Sequence, residues 1–102
     1  MVGIPEDKRK QIAAACARHR VLRLDVFGSA VRADFRPGER DVDLLVDFGQ
    51  MDPYDRIDAY FNLLDELRGL LAVDVDLVMV DAVKNRYIAA DIARTRQSLY
   101  AA

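Results

Sequence analysis

Cysteine and histidine are nearly absent from this sequence, which has Cys16 and His19 as its single examples. One cysteine excludes a disulfide within the chain and fits a reducing compartment. One histidine leaves little material for catalysis by a histidine paired with serine or cysteine. We therefore expect Cys16 to be a small buried apolar residue and His19 to lie at the end of a helix.

Long apolar runs and an excess of positive charge are also missing. No stretch approaches the ~20 apolar residues that cross a bilayer. Charged residues at positions 6–10 stand where a signal peptide would need its apolar segment. The 15 basic and 17 acidic residues give a formal net charge of −2, which disfavours direct binding to a nucleic-acid backbone. These features predict a cytoplasmic protein that binds neither membrane nor nucleic acid directly.

Hydrophobic residues make up 52% of the chain. This content predicts one domain over residues 1–102 with a single core. The spacing of the hydrophobic residues switches between helical and strand periods. It predicts helices over 6–19, 53–71 and 84–98, a short helix over 29–34, a loop over 36–40, and strands over 22–26, 41–48 and 73–80. This order implies an α/β or α+β fold, in which helices flank a small mixed sheet of three or more strands.

Three of these elements carry specific expectations about burial. On the first strand, Leu22, Leu24 and Val26 alternate with Arg23 and Asp25, which is typical of a strand with one buried face. The helix over 53–71 begins at Asp52 and Pro53, a cap and first residue that favour helix formation. The apolar contacts of this helix are expected to be Ile57, Phe61, Leu64, Leu67 and Leu71. Those of the last helix are expected to be Tyr87, Ile88, Ile92 and Leu99. The tyrosines, namely Tyr54, Tyr60, Tyr87 and Tyr100, are expected to pack on helices.

Two carboxylates, Asp41 and Asp43, stand two residues apart on the second strand. Side chains alternate along a strand, so both would point to the same face, where they repel each other unless a cation lies between them. A divalent cation that prefers oxygen ligands, such as Mg²⁺, fits this need. If the second and third strands are neighbours, Asp76 joins the pair as a third carboxylate, able to bind metal or to act as general base. Asp74 would either accompany it or face solvent at the start of its strand.

A glycine and a serine, Gly28-Ser29, end the first strand. Gly28 allows the backbone to approach a phosphate, and Ser29 adds a hydroxyl at the start of a short helix, where anions are favoured. Arg32 follows within one turn and can point toward the same phosphates. Each feature also has an ordinary reading: a solvated Asp-x-Asp, a common turn, and an arginine paired with Asp34 or Glu39. It is their combination in this order that favours phosphate chemistry.

The combination resembles the nucleotidyltransferase superfamily of the DNA polymerase beta type. The signature of that superfamily is Gly-Ser, a spacer of about ten residues, then Asp-x-Asp; here Gly28-Ser29 is followed by the spacer 30–40 and then Asp41-Val42-Asp43. The segment around Asp76 resembles the strand that brings the third carboxylate. The length resembles that of the minimal nucleotidyltransferases (MNT), which are often encoded beside a HEPN-domain toxin.

The resemblance implies a Mg²⁺-dependent antitoxin of a type VII toxin–antitoxin pair, which uses ATP to transfer AMP to a tyrosine of its HEPN partner. Both proteins would form a hetero-oligomer. Asp41, Asp43 and Asp76 would be catalytic metal ligands, and Gly28, Ser29 and Arg32 would bind the triphosphate. The chain departs from the pattern at Ala33, commonly glycine, and at Arg40, commonly serine. An alternative is an antitoxin that is weak or inactive as an enzyme and neutralises its partner by complex formation.

Overall fold

The structure of the protein is a computed structural model that describes residues 4–28 and 41–102. The helices are α1 (Glu6–Arg18), α2 (Pro53–Leu71) and α3 (Arg86–Thr95), and the strands are β1 (Arg23–Phe27), β2 (Val42–Asp47), β3 (Val75–Met79) and β4 (Gln97–Ala101). A short 3₁₀ turn, Val80–Ala82, follows β3. The helix predicted over 29–34 and the loop predicted over 36–40 lie outside the described residues.

The strands form one mixed sheet in the order β3-β2-β1-β4. β1 runs antiparallel to both β2 and β4, whereas β2 and β3 are parallel. A parallel pair needs a long crossover between its strands, and α2 provides it. The architecture confirms the predicted mixed sheet flanked by helices.

The fourth strand corrects the prediction of a last helix over 84–98. The helix ends at Thr95, and Leu99 belongs to β4, which pairs with the outer edge of β1. Leu99 stands seven residues after Ile92, a separation that imitates two helical turns, which is why the prediction was wrong here. Pairing with β4 satisfies the backbone groups of β1 that would otherwise form an open sheet edge. Tyr100 likewise lies on this strand and not on a helix.

The main core lies between one face of the sheet and the helices α1 and α2. Its members share near-complete burial; the largest are Ile12, Leu24, Leu44, Leu63 and Leu67. Asp52 caps α2 as predicted, because its Oδ2 accepts hydrogen bonds from the backbone N–H groups of Tyr54 and Asp55. Among the described residues, no helix has both the length and the apolar composition required to cross a membrane.

The beginning of α2 is less buried than its apolar spacing predicts. Ile57 and Phe61 are 53% and 59% exposed, and the buried residues of the helix begin only at Ala59. Tyr54 and Tyr87 are also exposed, which contradicts their expected packing. A spacing of three and four residues fits two adjacent stripes of a helix, and only the sheet beneath decides which stripe is covered.

Cys16 and His19 lie where the sequence predicts. Cys16 is buried, and burial together with the nearby charge of Glu66 raises the pKa of its thiol to about 12. His19 directly follows α1 as its C-cap. Burial alone would raise the pKa of Glu66, but the hydrogen bond and charge of Arg18, with the charge of His19, outweigh burial and lower it. The contacts of Arg18 and His19 with Glu66 join α1 to α2 and fix the helical layer under the sheet.

Candidate functional site

The face of the sheet opposite α1 and α2 carries an unusual number of carboxylates. The register of the strands assigns to this face Asp25 and Phe27 of β1, Asp43, Leu45 and Asp47 of β2, and Asp76 and Val78 of β3. α3 covers its middle through a small apolar cluster of Phe27, Leu45 and Ile92. The acidic residues beside this cluster therefore lie on the second, partly covered face of the sheet and are not part of the main core.

Asp43 and Asp76 are direct partners in the parallel pairing of β2 with β3. Adjacent strands lie about 4.8 Å apart, so two carboxylates at paired positions on one face are close neighbours. Asp43 is half-buried and Asp76 is exposed. Like charges placed opposite each other are unfavourable, and a bound cation removes that cost. The predicted adjacency of the second and third strands is confirmed.

Asp41 precedes β2 by one residue and is exposed. Over residues 4–28 and 41–102, no three aspartate, glutamate, histidine or cysteine side chains form a group suited to one metal ion. The structure thus brings Asp43 and Asp76 together and leaves Asp41 at the margin of the pair. Proteins commonly hold Mg²⁺ through one or two carboxylates plus substrate phosphates, so the paired carboxylates fit this cation. The metal-binding roles remain a prediction.

Gly28 lies against the carboxylate of Asp43. Its φ angle is +75°, and a β-carbon built on it would lie 2.7 Å from Asp43 Oδ2. Glycine fits this position for two reasons: its backbone is left-handed, and a β-carbon would force the carboxylate of Asp43 to rotate away. The end of β1 and the acidic pair on β2 and β3 form a single site. Ser29 and Arg32, the other predicted phosphate ligands, lie outside the described residues.

Thr95 is a residue of this site that no sequence pattern indicates. Its Oγ1 accepts a hydrogen bond from the backbone N–H of Gly28 at 2.9 Å and donates one to the carbonyl of Asp91 at 2.7 Å. A threonine at the end of a helix is common, and only the tertiary structure shows that it faces the end of β1.

Asp74, by contrast, is exposed, and its carbonyl accepts the N–H of Val42 at 3.0 Å.

Asp25 is fully buried, which corrects the expected single buried face of β1. Its Oδ1 accepts from Arg23 Nε at 3.0 Å, and its Oδ2 accepts from Arg96 Nε at 2.8 Å and also from Arg96 Nη2. The second face of β1 is covered by α3, and Arg96 reaches Asp25 from the junction of α3 with β4. Leu22, expected inside, directly precedes the strand and is 49% exposed.

The ion pair between Asp25 and Arg96 predicts a stability effect. Arg96→Met should lower the free energy of unfolding by about 3 kcal/mol, because the buried carboxylate then keeps only its weaker contact with the half-exposed Arg23 among the described residues. Arg94→Met is the matched control, because Arg94 is 69% exposed and meets Asp91 at 3.4 Å. It should cost less than about 0.5 kcal/mol. Urea unfolding measures both; equal stability of the two variants would contradict the assigned role of Arg96.

Comparison with known proteins gives the family and the fold that this chain resembles. Residues 8–99 match the sequence model of the family described as Nucleotidyltransferase domain. A protein of Methanocaldococcus jannaschii, named "Putative protein adenylyltransferase", is 36% identical over 75 residues, which are 74% of this chain and 72% of the relative. The match spans most of both chains.

Two solved structures share the fold. The first, described as a "putative minimal nucleotidyltransferase", is 32% identical, with a TM-score of 0.64, and the alignment covers 89% of this chain and 88% of that one. The second contains a tri-AMPylated Shewanella oneidensis HEPN toxin in complex with an MNT antitoxin. It has a TM-score of 0.63 at 18% identity, and it covers 95% of this chain and 72% of that chain.

Proposed function

Because this chain belongs to the nucleotidyltransferase domain family, we propose that it transfers AMP from ATP to a tyrosine hydroxyl of a HEPN toxin, with Mg²⁺, and so acts as an antitoxin. The observation that carries this proposal is the placement of Asp43 opposite Asp76 in the β2–β3 register, with Gly28 against the carboxylate of Asp43. Because Gly28 has no β-carbon, the carboxylate of Asp43 can lie against the end of β1, with Asp76 beside it on β3.

The likeness to known proteins supports the choice of AMP as the transferred group and of a protein as the acceptor. The relative from Methanocaldococcus jannaschii is named as an adenylyltransferase of proteins. The structural neighbour from Shewanella oneidensis is an MNT antitoxin bound to a HEPN toxin that carries AMP. A partner of this class would place its hydroxyl at the acidic end of the sheet.

The reaction assigns a task to each carboxylate. Asp43 and Asp76 would hold the cation, and Asp41, which the family motif also assigns to the metal, would approach it from the margin of the pair. Bound Mg²⁺ would neutralise the phosphates and stabilise an in-line displacement at phosphorus. Asp76 is the exposed member of the central pair, so it would be open to an incoming hydroxyl and would accept its proton.

The displacement exchanges one bond at phosphorus for another. The tyrosine oxygen forms a bond to the α-phosphorus of ATP, and the bond from that phosphorus to the bridging oxygen of the β-phosphate breaks. Pyrophosphate leaves with the electron pair of the broken bond, and the hydroxyl proton passes to the carboxylate of Asp76. The product is a tyrosine O-AMP ester on the partner. The roles proposed for Ser29 and Arg32, which are to bind the triphosphate, rest on their places in the sequence and on the family motif.

Radiolabelled ATP tests the proposal directly. The protein is incubated with ATP labelled at the α-phosphate, with Mg²⁺, and with a HEPN protein encoded beside it. Label should appear on the HEPN protein, should depend on Mg²⁺, and should be absent when the label is on the γ-phosphate. Tyrosine O-AMP should be found by mass spectrometry of the labelled protein. A partner that is neutralised without receiving label would instead support an antitoxin that acts by binding alone.

A further inference from the structure

We propose that Thr95 is a positioning residue, whose hydroxyl holds the main chain of Gly28 against the carboxylate of Asp43. This inference rests on the proposed function for its catalytic consequence, whereas the contact itself belongs to the protein without nucleotide or metal. It connects the end of α3 with the acidic pair on β2 and β3.

The pairing of β1 with β4 ends close to Thr95. The last pair of residues in the antiparallel β1–β4 ladder is Val26 with Gln97. Continuing this register by two residues places Thr95 opposite Gly28, but Thr95 belongs to α3 and its backbone is helical. Among the described residues, no carbonyl of β4 therefore accepts the N–H of Gly28. This N–H donates to Thr95 Oγ1 at 2.9 Å instead. The hydroxyl thus replaces the main-chain acceptor that a continued β4 would provide.

The orientation of the hydroxyl is fixed by its second hydrogen bond. A threonine hydroxyl has one hydrogen to donate, and Thr95 gives it to the carbonyl of Asp91 at 2.7 Å. A lone pair of Oγ1 then faces Gly28, whose backbone lies in a buried region. Valine at this position would keep the shape of the side chain and remove both bonds, whereas serine would retain the hydroxyl.

The neighbouring residue makes this contact rigid. Arg96 pairs with the fully buried Asp25 of β1, so the junction of α3 and β4 is attached to β1 at two points. Without the bond from Thr95, the N–H of Gly28 is an unsatisfied buried donor, and the chain must move to find a partner. Because a β-carbon on Gly28 would lie only 2.7 Å from Asp43 Oδ2, any movement of this backbone changes the space beside that carboxylate.

Amide hydrogen exchange of the metal-free protein tests the contact. We compare wild type, Thr95→Val and Thr95→Ser by NMR. The amide of Gly28 should exchange about tenfold faster in Thr95→Val and at nearly the wild-type rate in Thr95→Ser. Amides in the centre of β2, which lie outside the contact, should be unchanged and show that the variants remain folded. Unchanged protection of Gly28 in Thr95→Val would overturn the inference.

Transfer of labelled AMP to the HEPN partner tests the consequence. Thr95→Val should lower kcat by about tenfold and raise the Mg²⁺ concentration for half-maximal activity, the usual effect of losing a residue that orients a metal ligand. Thr95→Ser should restore both. Faster exchange at Gly28 with unchanged kinetics would overturn the positioning role. An inactive wild-type protein would refute the proposed function, and this result is distinct from equal activity of wild type and Thr95→Val.

Discussion

Gly28→Ala should strongly reduce transfer of AMP while leaving a folded protein. The added β-carbon would lie 2.7 Å from Asp43 Oδ2, so the carboxylate must rotate away from the position that it shares with Asp76. The φ angle of +75° adds a cost of about 1–2 kcal/mol for any residue with a β-carbon. Transfer should fall by at least about 100-fold, which corresponds to a displaced metal ligand, and unfolding in urea should show the modest loss of stability.

Gly49→Ala is a close control for the backbone term. Gly49 has a φ angle of +65°, and a β-carbon on it would meet Leu22 Cδ2 at 3.4 Å, an ordinary contact with a flexible side chain. Both variants should therefore lose similar stability, and Gly49→Ala should retain transfer. If both variants kept transfer, the contact of Gly28 with Asp43 would have no catalytic meaning. If both lost it, backbone strain alone would account for the effect.

Asp43→Asn should give the second large effect. The amide is nearly isosteric with the carboxylate but lacks its charge, so the cation loses the negative charge of its central ligand and keeps at most a neutral amide oxygen. Transfer should fall by about 1,000-fold or more, because metal-derived stabilisation of the transition state amounts to several kcal/mol and each 1.36 kcal/mol is a factor of ten. The free energy of unfolding should change by no more than about 1 kcal/mol, since the backbone pairing of β2 with β3 remains.

Asp47→Asn is the matched control on the same strand and the same face. Asp47 lies at the far end of β2, where its Oδ1 accepts the N–H of Gly49 at 2.8 Å, and asparagine can still accept that bond. Transfer by this variant should stay within about twofold of wild type. Retention of full transfer by Asp43→Asn would contradict the site, and an equal loss in Asp47→Asn would show that the acidic face acts through its total charge.

The sequence predicts the adjacency of Gly28, Asp43 and Asp76 better than it predicts the elements around them. The Gly-Ser turn, the Asp-x-Asp and the third aspartate depend on local order along the chain and on strand alternation, so sequence patterns alone select Gly28, Asp43 and Asp76. Their adjacency follows once α2 connects β2 to β3 as a parallel pair. Whether Asp41, Asp43 and Asp76 bind metal stays a prediction.

The wrong expectations around β1 share one cause, which is the unrecognised β4. Without it, Asp25 reads as the exposed half of an alternating strand, Arg96 reads as a helix residue, and Thr95, which does end α3, has no reason to approach β1. In the structure, β4 covers the outer edge of β1, and both residues reach β1 from the junction that precedes it. Such contacts join positions about seventy residues apart (67 for Gly28 and Thr95), and local periodicity contains no information on them.

The central claim is that Asp43 and Asp76 share one cation beside Gly28, and anomalous scattering tests it most directly. Crystals would be grown with Mn²⁺, which binds at oxygen-rich Mg²⁺ sites, and a non-hydrolysable ATP analogue. We expect an anomalous peak within about 2.2 Å of oxygens from both carboxylates, with the triphosphate beside Gly28. A nucleotide bound elsewhere, or Mn²⁺ that contacts neither carboxylate, would contradict the account.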